Sequence, residues 1–141
     1  MSSVFSKIIA GELPGQIVWK DEHCVVMATI EPMRPGHVMV VPLEQVDKFN
    51  DVDPDVFAHM AKVSQVVAHA QEKAFDVPRA VTAILGFEVP HTHIHVIPAE
   101  SESAAYVQNA KQAPAEEIAE AMDKLRGALA DLGYGEKIPS A

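Results

Sequence analysis

The sequence predicts an α+β fold on three observations: five short β-branched segments bounded by turn residues, one long segment of helical periodicity between the third and fourth, and no repeated βαβ unit. The expected architecture is an antiparallel sheet of about five strands, with a long covering helix and a C-terminal helix.

Taken in order, "SKIIAGE" makes one or two helical turns, stopped by Gly11 and Pro14. "QIVWKD" and "HCVVMATI" read as strands joined at Asp21-Glu22, a hairpin. "EPMRPGH" is a loop by its two prolines and glycine, and "HVMVVP" is a strand ending at Pro42, which places His37 at a loop-to-strand junction. Asp53-Pro54 supplies an N-cap and a first-turn proline, and Asp55 adds negative charge to the first turn. Val56, Phe57, Met60, Val63, Val67 and Ala70 or Ala74 then follow helical spacing to about Phe75, so this helix covers one face of the sheet. His59 and His69 on it read as surface histidines. "RAVTAIL" and "HTHIHVIP" are the last two strands, with Gly86 marking a turn or bulge between them. After Pro114, the spacing of Ile118, Met122, Leu125, Leu129 and Leu132 predicts an amphipathic helix that docks on the domain or on a dimer partner, closed by Gly133. The division expected is a domain over residues 1–100 and a C-terminal extension over 101–141.

With 141 residues, 48% of them hydrophobic and 22% charged, the chain has the composition of one globular domain. Twenty acidic residues against eleven basic ones give a formal net charge of −9, which repels a nucleic-acid backbone, and no basic cluster offsets it. No stretch approaches the ~20 apolar residues of a membrane span, and the first residues lack the features of a secretory signal, so a cytoplasmic location is expected. The single cysteine, Cys24, has no internal disulfide partner and reads as a small buried hydrophobe.

"VPHTHIHVIPAE" concentrates three of the seven histidines at alternate positions. On a strand, His91, His93 and His95 would share one face, leaving Thr92, Ile94 and Val96 to the core. Three readings stand: core packing, metal ligation and chemistry. The apolar alternation speaks against the first. Against the second, the outer pair of Cα atoms would be ~13 Å apart, too far for three imidazoles to share one ion at ~2.0–2.1 Å on an unbent strand. For the third, a neutral imidazole with one nitrogen held as a donor offers the other as a nucleophile, and the middle residue is flanked by a histidine on each side. Phosphoryl or nucleotidyl transfer suits such a group.

"HTHIHVIP" resembles the HxHxHxx signature of histidine triad proteins. The front half, "VFSKIIAGELPGQIVWKDEHCVVMATIEPMRPGHVMVVP", is similar to the pattern of their nucleotide-binding branch, so the resemblance runs from Val4 to Pro98. It implies a histidine-triad-like homodimer whose sheet binds a purine nucleotide or nucleotide conjugate, with no cofactor, and whose middle triad histidine attacks the α-phosphorus. By that resemblance His93 is the nucleophile, His95 contacts the phosphate, His91 helps position the site and His37 buttresses it. Val4, Phe5, Ile8, Met27 and Ile30 would line the base pocket, or else simply pack in the core.

The sequence also departs from the family pattern. Zinc-binding members of this branch carry a CxxC near the start and a further histidine after the "GHxLVIP" strand; Ser3, Ser6 and Gln45 stand there, so no structural zinc is expected. Thr29 replaces the aspartate that takes the ribose hydroxyls. Ala80, Phe87 and Glu88 replace an asparagine, a glutamine and a serine ahead of the triad. A carboxylate at Glu88 either repels the phosphate, favours an amine leaving group, or points into solvent. The activity implied is hydrolysis of a nucleoside phosphoramidate or related conjugate. The alternatives are a dinucleoside polyphosphate hydrolase and a nucleotide-binding interaction module with little turnover.

Overall fold

Residues 1–140 are described by a computed structural model. The strands β1 (Ile17–Lys20), β2 (Cys24–Ala28), β3 (Val38–Pro42), β4 (Arg79–Ala83) and β5 (Ile94–Ala99) form one sheet in the order β1-β2-β3-β5-β4, antiparallel throughout. The β1–β2 hairpin closes on Asp21, whose Oδ1 accepts from the amides of His23 and Cys24 at 2.8 and 2.9 Å. Such a side-chain turn is what a short aspartate provides.

Alternation along the strands decides what each face does. Cys24, Val26, Val38, Val40, Ile94 and Val96 point to one face, where helix α2 (Pro54–Phe75) buries Met60, Val63, Val67 and Ala70 against them. Val25, Met27, Met39 and Val41 point to the other face, where Phe5 of the short helix α1 (Val4–Ile9) covers them. Met39 pairs directly with His95 in the β3–β5 register, so His95 lies on the α1 face, away from α2.

Helix α2 starts as its sequence dictates: Asp53 Oδ1 accepts from the amides of Asp55 and Val56, and Pro54 follows at the first helical position. Its last residue, Phe75, explains one glycine. A Cβ on Gly36 would lie 2.3 Å from the Phe75 ring, and Gly36 has φ +92°, so the turn ahead of His37 has no room for any other residue. Helix α3 (Ala115–Asp131) packs on α2 and buries Met122, Leu125 and Leu129 in the same core. Removing one such side chain, as in Leu125→Ala, costs about 2–5 kcal/mol. Gly133, with φ +98°, follows this helix as expected, whereas Leu132 is 41% exposed and leaves the stripe. No helix is long and apolar enough to cross a membrane among the described residues.

Two further expectations need correction. Helix α1 begins at Val4, earlier than "SKIIAGE" suggested, because Ser3 caps it by accepting from the amide of Ser6 at 3.0 Å. Strand β5 begins at Ile94, so His91 to His93 are not on the ladder. Thr92 instead sends both its amide and its hydroxyl to the carbonyl of Val46, at 2.7 and 2.8 Å, and the amide of His91 turns back to the carbonyl of Val89. Those bonds take the place of strand pairing.

Candidate active site

The segment that leaves the ladder at Thr92 places the histidines unequally. His91 is fully buried, His93 is 6% exposed, and His95, on β5, is half-buried. Core burial of a triad histidine, which the apolar alternation argued against, therefore holds for His91. Its two nitrogens are both engaged: Nε2 donates to the carbonyl of Pro42 at 2.8 Å, which leaves Nδ1 to accept from the Ser3 hydroxyl at 2.7 Å.

Hydrogen-bond partners of fixed sense determine the remaining tautomers. The carbonyl of His91 only accepts, so His93 donates to it from Nδ1, at 2.7 Å, and its Nε2 carries a bare lone pair. The amide of Met33 only donates, so Nδ1 of His37 accepts from it at 3.0 Å. Neutral His37 then donates from Nε2 to Nδ1 of His95 at 2.9 Å, and the proton of His95 sits on Nε2. One nucleophilic nitrogen and one donor nitrogen result. The rings of His93 and His95 are 4.8 Å apart, with the edge of Phe5 also 4.8 Å from His93.

Burial keeps these rings neutral. Desolvation, with the neighbouring histidines adding repulsion, lowers the pKa of His37 to about 3 and that of His95 to about 4. Desolvation also lowers that of His93, against the opposing effect of its bond to the His91 carbonyl. A neutral imidazole is the form with a lone pair to give.

Of the apolar residues expected around the base, Phe5, Ile8 and Met27 share the cluster on the α1 face. Val4 is exposed at the start of α1, and Ile30 is 68% exposed beyond β2. Thr29 lines a cavity of about 260 Å³ with Met33, Arg34, His37, residues 111–114 and Ile118 and Met122 of α3, and its hydroxyl accepts from the amide of Glu31 at 3.1 Å. Glu88 is exposed in the loop ahead of the triad, beside Phe87, which is 99% exposed. Ala80 sits half-buried on β4.

The HIT domain family matches residues 10–102. An uncharacterised HIT-like protein of Methanocaldococcus jannaschii is 34% identical over 99 residues, covering 67% of this chain and 77% of that one. The chain belongs to the HIT family. Another relative, an asymmetrical bis(5′-nucleosyl)-tetraphosphatase of Schizosaccharomyces pombe, is 32% identical over 103 residues, covering 67% of this chain and 53% of its own. Among solved structures, a zinc-bound histidine triad family protein from Mycobacterium smegmatis superposes with a TM-score of 0.81 at 29% identity, covering 94% of this chain and 96% of that one.

Zinc does not fit the corresponding residues of this HIT chain. Ser3, Ser6, Gln45 and His91 are drawn together, but by hydrogen bonds: the amide of Ser3 donates to Gln45 Oε1 at 2.7 Å, Ser6 Oγ donates to the same oxygen at 3.2 Å, and Ser3 Oγ holds His91. Hydroxyls and an amide oxygen are poor zinc donors, and the one imidazole nitrogen available is already an acceptor. The sequence marked Ser3, Ser6 and Gln45 only as losses; their hold on His91, and through its carbonyl on His93, went unread. Gln71 was also missed. It donates from Nε2 to the carbonyls of Gly36 and Val96, both at 2.9 Å, tying α2 to the strands that carry His37 and His95. Its signal was a lone amide within the buried stripe of α2.

Proposed function

We propose that this chain hydrolyses a nucleoside phosphoramidate or related nucleotide conjugate at its α-phosphate, through a nucleotide covalently held on His93. The observation that carries the reading is the bond from His93 Nδ1 to the His91 carbonyl, which leaves Nε2 as a bare nucleophile beside the Nε2–H of His95. In the first step, Nε2 of His93 forms a bond to phosphorus as the bond to the leaving group breaks, and the leaving group takes a proton from solvent. The donor nitrogen of His95 stabilises the charge on the non-bridging oxygens. Water then attacks the same phosphorus, the N–P electron pair returns to His93, and the proton of water is released.

His37 fixes the tautomer of His95, and His91 supplies the carbonyl that fixes that of His93. Phe5, Ile8 and Met27, with Val4 and Ile30 at the margin, hold the purine, and residues 1–100 carry the chemistry. A homodimer is supported by the free edge of β4, beside which Phe49, Phe57, Ala61, Ala68 and Ile84 line an apolar groove. We take the enzyme to be cytoplasmic, cofactor-free and without a membrane or nucleic-acid partner; the net charge of −9 supports the last of these.

A second reading has its own observation. Thr29 offers no charge to a ribose and its hydroxyl already accepts a backbone bond, which favours a nucleotide-binding module with slow turnover. Measuring nucleotide affinity and hydrolysis of adenosine 5′-phosphoramidate and a dinucleoside tetraphosphate on the same preparation separates the two. Turnover of the phosphoramidate that is lost in His93→Ala supports the hydrolase; binding without turnover of either supports the module.

A further inference from the structure

A second cluster of chemistry-bearing side chains lies on the β1–β2 hairpin, on the sheet face covered by α2. Asp21 sits in the turn, Cys24 opens β2, and His59 comes down from α2. One ligand atom from each lies within 4.8 Å of the other two. His59 Nε2 donates to Asp21 Oδ2 at 2.6 Å, and Cys24 Sγ lies 3.9 Å from the same oxygen. A fourth donor, His23, is exposed and packs edge-on against the ring of His59 at 4.9 Å.

We infer that Asp21, Cys24 and His59 form a binding site for a divalent transition metal of the zinc class, with the fourth position taken by water or His23. A tetrahedral ion at ~2.0–2.3 Å from its ligands sets them about 3.3–3.8 Å apart. The observed separations bracket that spacing, so the ion requires the His59–Asp21 pair to open and Cys24 to close, both through side-chain rotation. The donor set is mixed nitrogen, thiolate and carboxylate, which suits zinc or cobalt and not magnesium or calcium. One carboxylate and one thiolate neutralise the ion's two charges, as a largely buried site needs: the Asp21 side chain is 7% exposed and that of His59 33%. The amides of His23 and Cys24 and the indole N–H of Trp19 already donate to Asp21, which supplies outer hydrogen bonds that orient a ligating carboxylate.

The protons balance. Cys24 gives up its thiol proton to solvent as the metal–sulfur bond forms, and the proton on His59 Nε2 moves to Nδ1 as Nε2 takes the metal. Because the thiol proton is released on binding, binding strengthens as pH rises. The site lies close to the triad's support: Cys24 pairs with Pro42, whose carbonyl holds His91.

Cobalt(II) titration of the full chain, read by absorbance, tests this. Cys24 is the chain's single cysteine, so a thiolate-to-cobalt charge-transfer band at one equivalent can arise from no other residue. The expected result is that band with tetrahedral visible absorption, one proton released per ion, loss of the band in Cys24→Ser, at least tenfold weaker binding in His59→Asn, and an unchanged band in His93→Ala. Zinc should displace the cobalt and raise Tm. Cobalt spectra with no thiolate band, or binding lost in His93→Ala and kept in Cys24→Ser, would overturn the proposal, and the native spectrum decides even where a variant does not fold.

Discussion

The two sides of the candidate site are built differently. On the histidine side, His37, His91 and His93 are buried, each ring's tautomer is set by a backbone group, Gln71 holds the backbone behind them and the Ser3 hydroxyl holds the His91 ring. Among the residues expected to choose the substrate, Phe87 and Glu88 stand in solvent, and Thr29 lies in a loop whose next residue is also exposed. On the proposed mechanism the buried side carries the reaction, and the exposed side selects only what is admitted to it. Substitution on the first should therefore remove turnover whatever the substrate, and substitution on the second should re-rank substrates.

The largest expected effect is on the buried side. His93→Ala should lower kcat by at least ~10³-fold while nucleotide affinity changes by less than ~3-fold, since the lost group acts only on the reacting phosphorus. Steady-state kinetics with parallel calorimetry checks it; equal losses in affinity would mean that His93 binds and does not react.

Next is the pH dependence of stability. The folded-state pKa values of His37 and His95 lie at about 3 and about 4, below the ordinary histidine value, so the unfolded chain binds more protons between those values and ~6.5. Their contribution is complete above ~6.5 and is lost as pH falls towards 4 and then 3, a loss on the order of a few kcal/mol. Urea unfolding from pH 7.5 to 4 should show it, and His37→Asn should flatten the curve.

Smaller is Ser3→Ala, which removes both the cap of α1 and the hydroxyl donor to His91. It should cost about 1–3 kcal/mol of stability and lower kcat more than it raises KM. A variant that loses stability but keeps kcat would confine Ser3 to capping. The smallest effect belongs to the exposed side. Glu88→Ser should change kcat/KM by less than about fivefold for any one substrate, as expected of an exposed charge, yet shift the ratio between amine and phosphate leaving groups. An unchanged ratio would remove Glu88 from substrate choice.

How much of this was legible in the sequence depends on the range of the interaction. Helix α2 was readable because Asp53, Pro54 and the Met60–Val63–Val67 spacing act locally, and the sheet because Val25 to Met27 and Val38 to Val41 alternate faces within one strand each. His37 and His93 were readable through a motif. The departure of His91–His93 from the strand was not, because it depends on Thr92 finding a carbonyl 46 positions away. Nor was the meeting of Asp21 with His59, which only the crossing of α2 over the hairpin brings about. Ser3 was visible as a replaced cysteine, but its bond to His91 spans 88 positions and has no periodic trace.

The central claim is covalent attack by Nε2 of His93, and the most direct measurement is a rapid quench of the full chain with a labelled adenosine 5′-phosphoramidate, followed by mass analysis of the triad peptide. The expected result is a nucleotidyl adduct on His93, acid-labile and absent from His93→Ala. A labelled adduct that persists in His93→Ala, or turnover with the label found on His91 or His95, would contradict it.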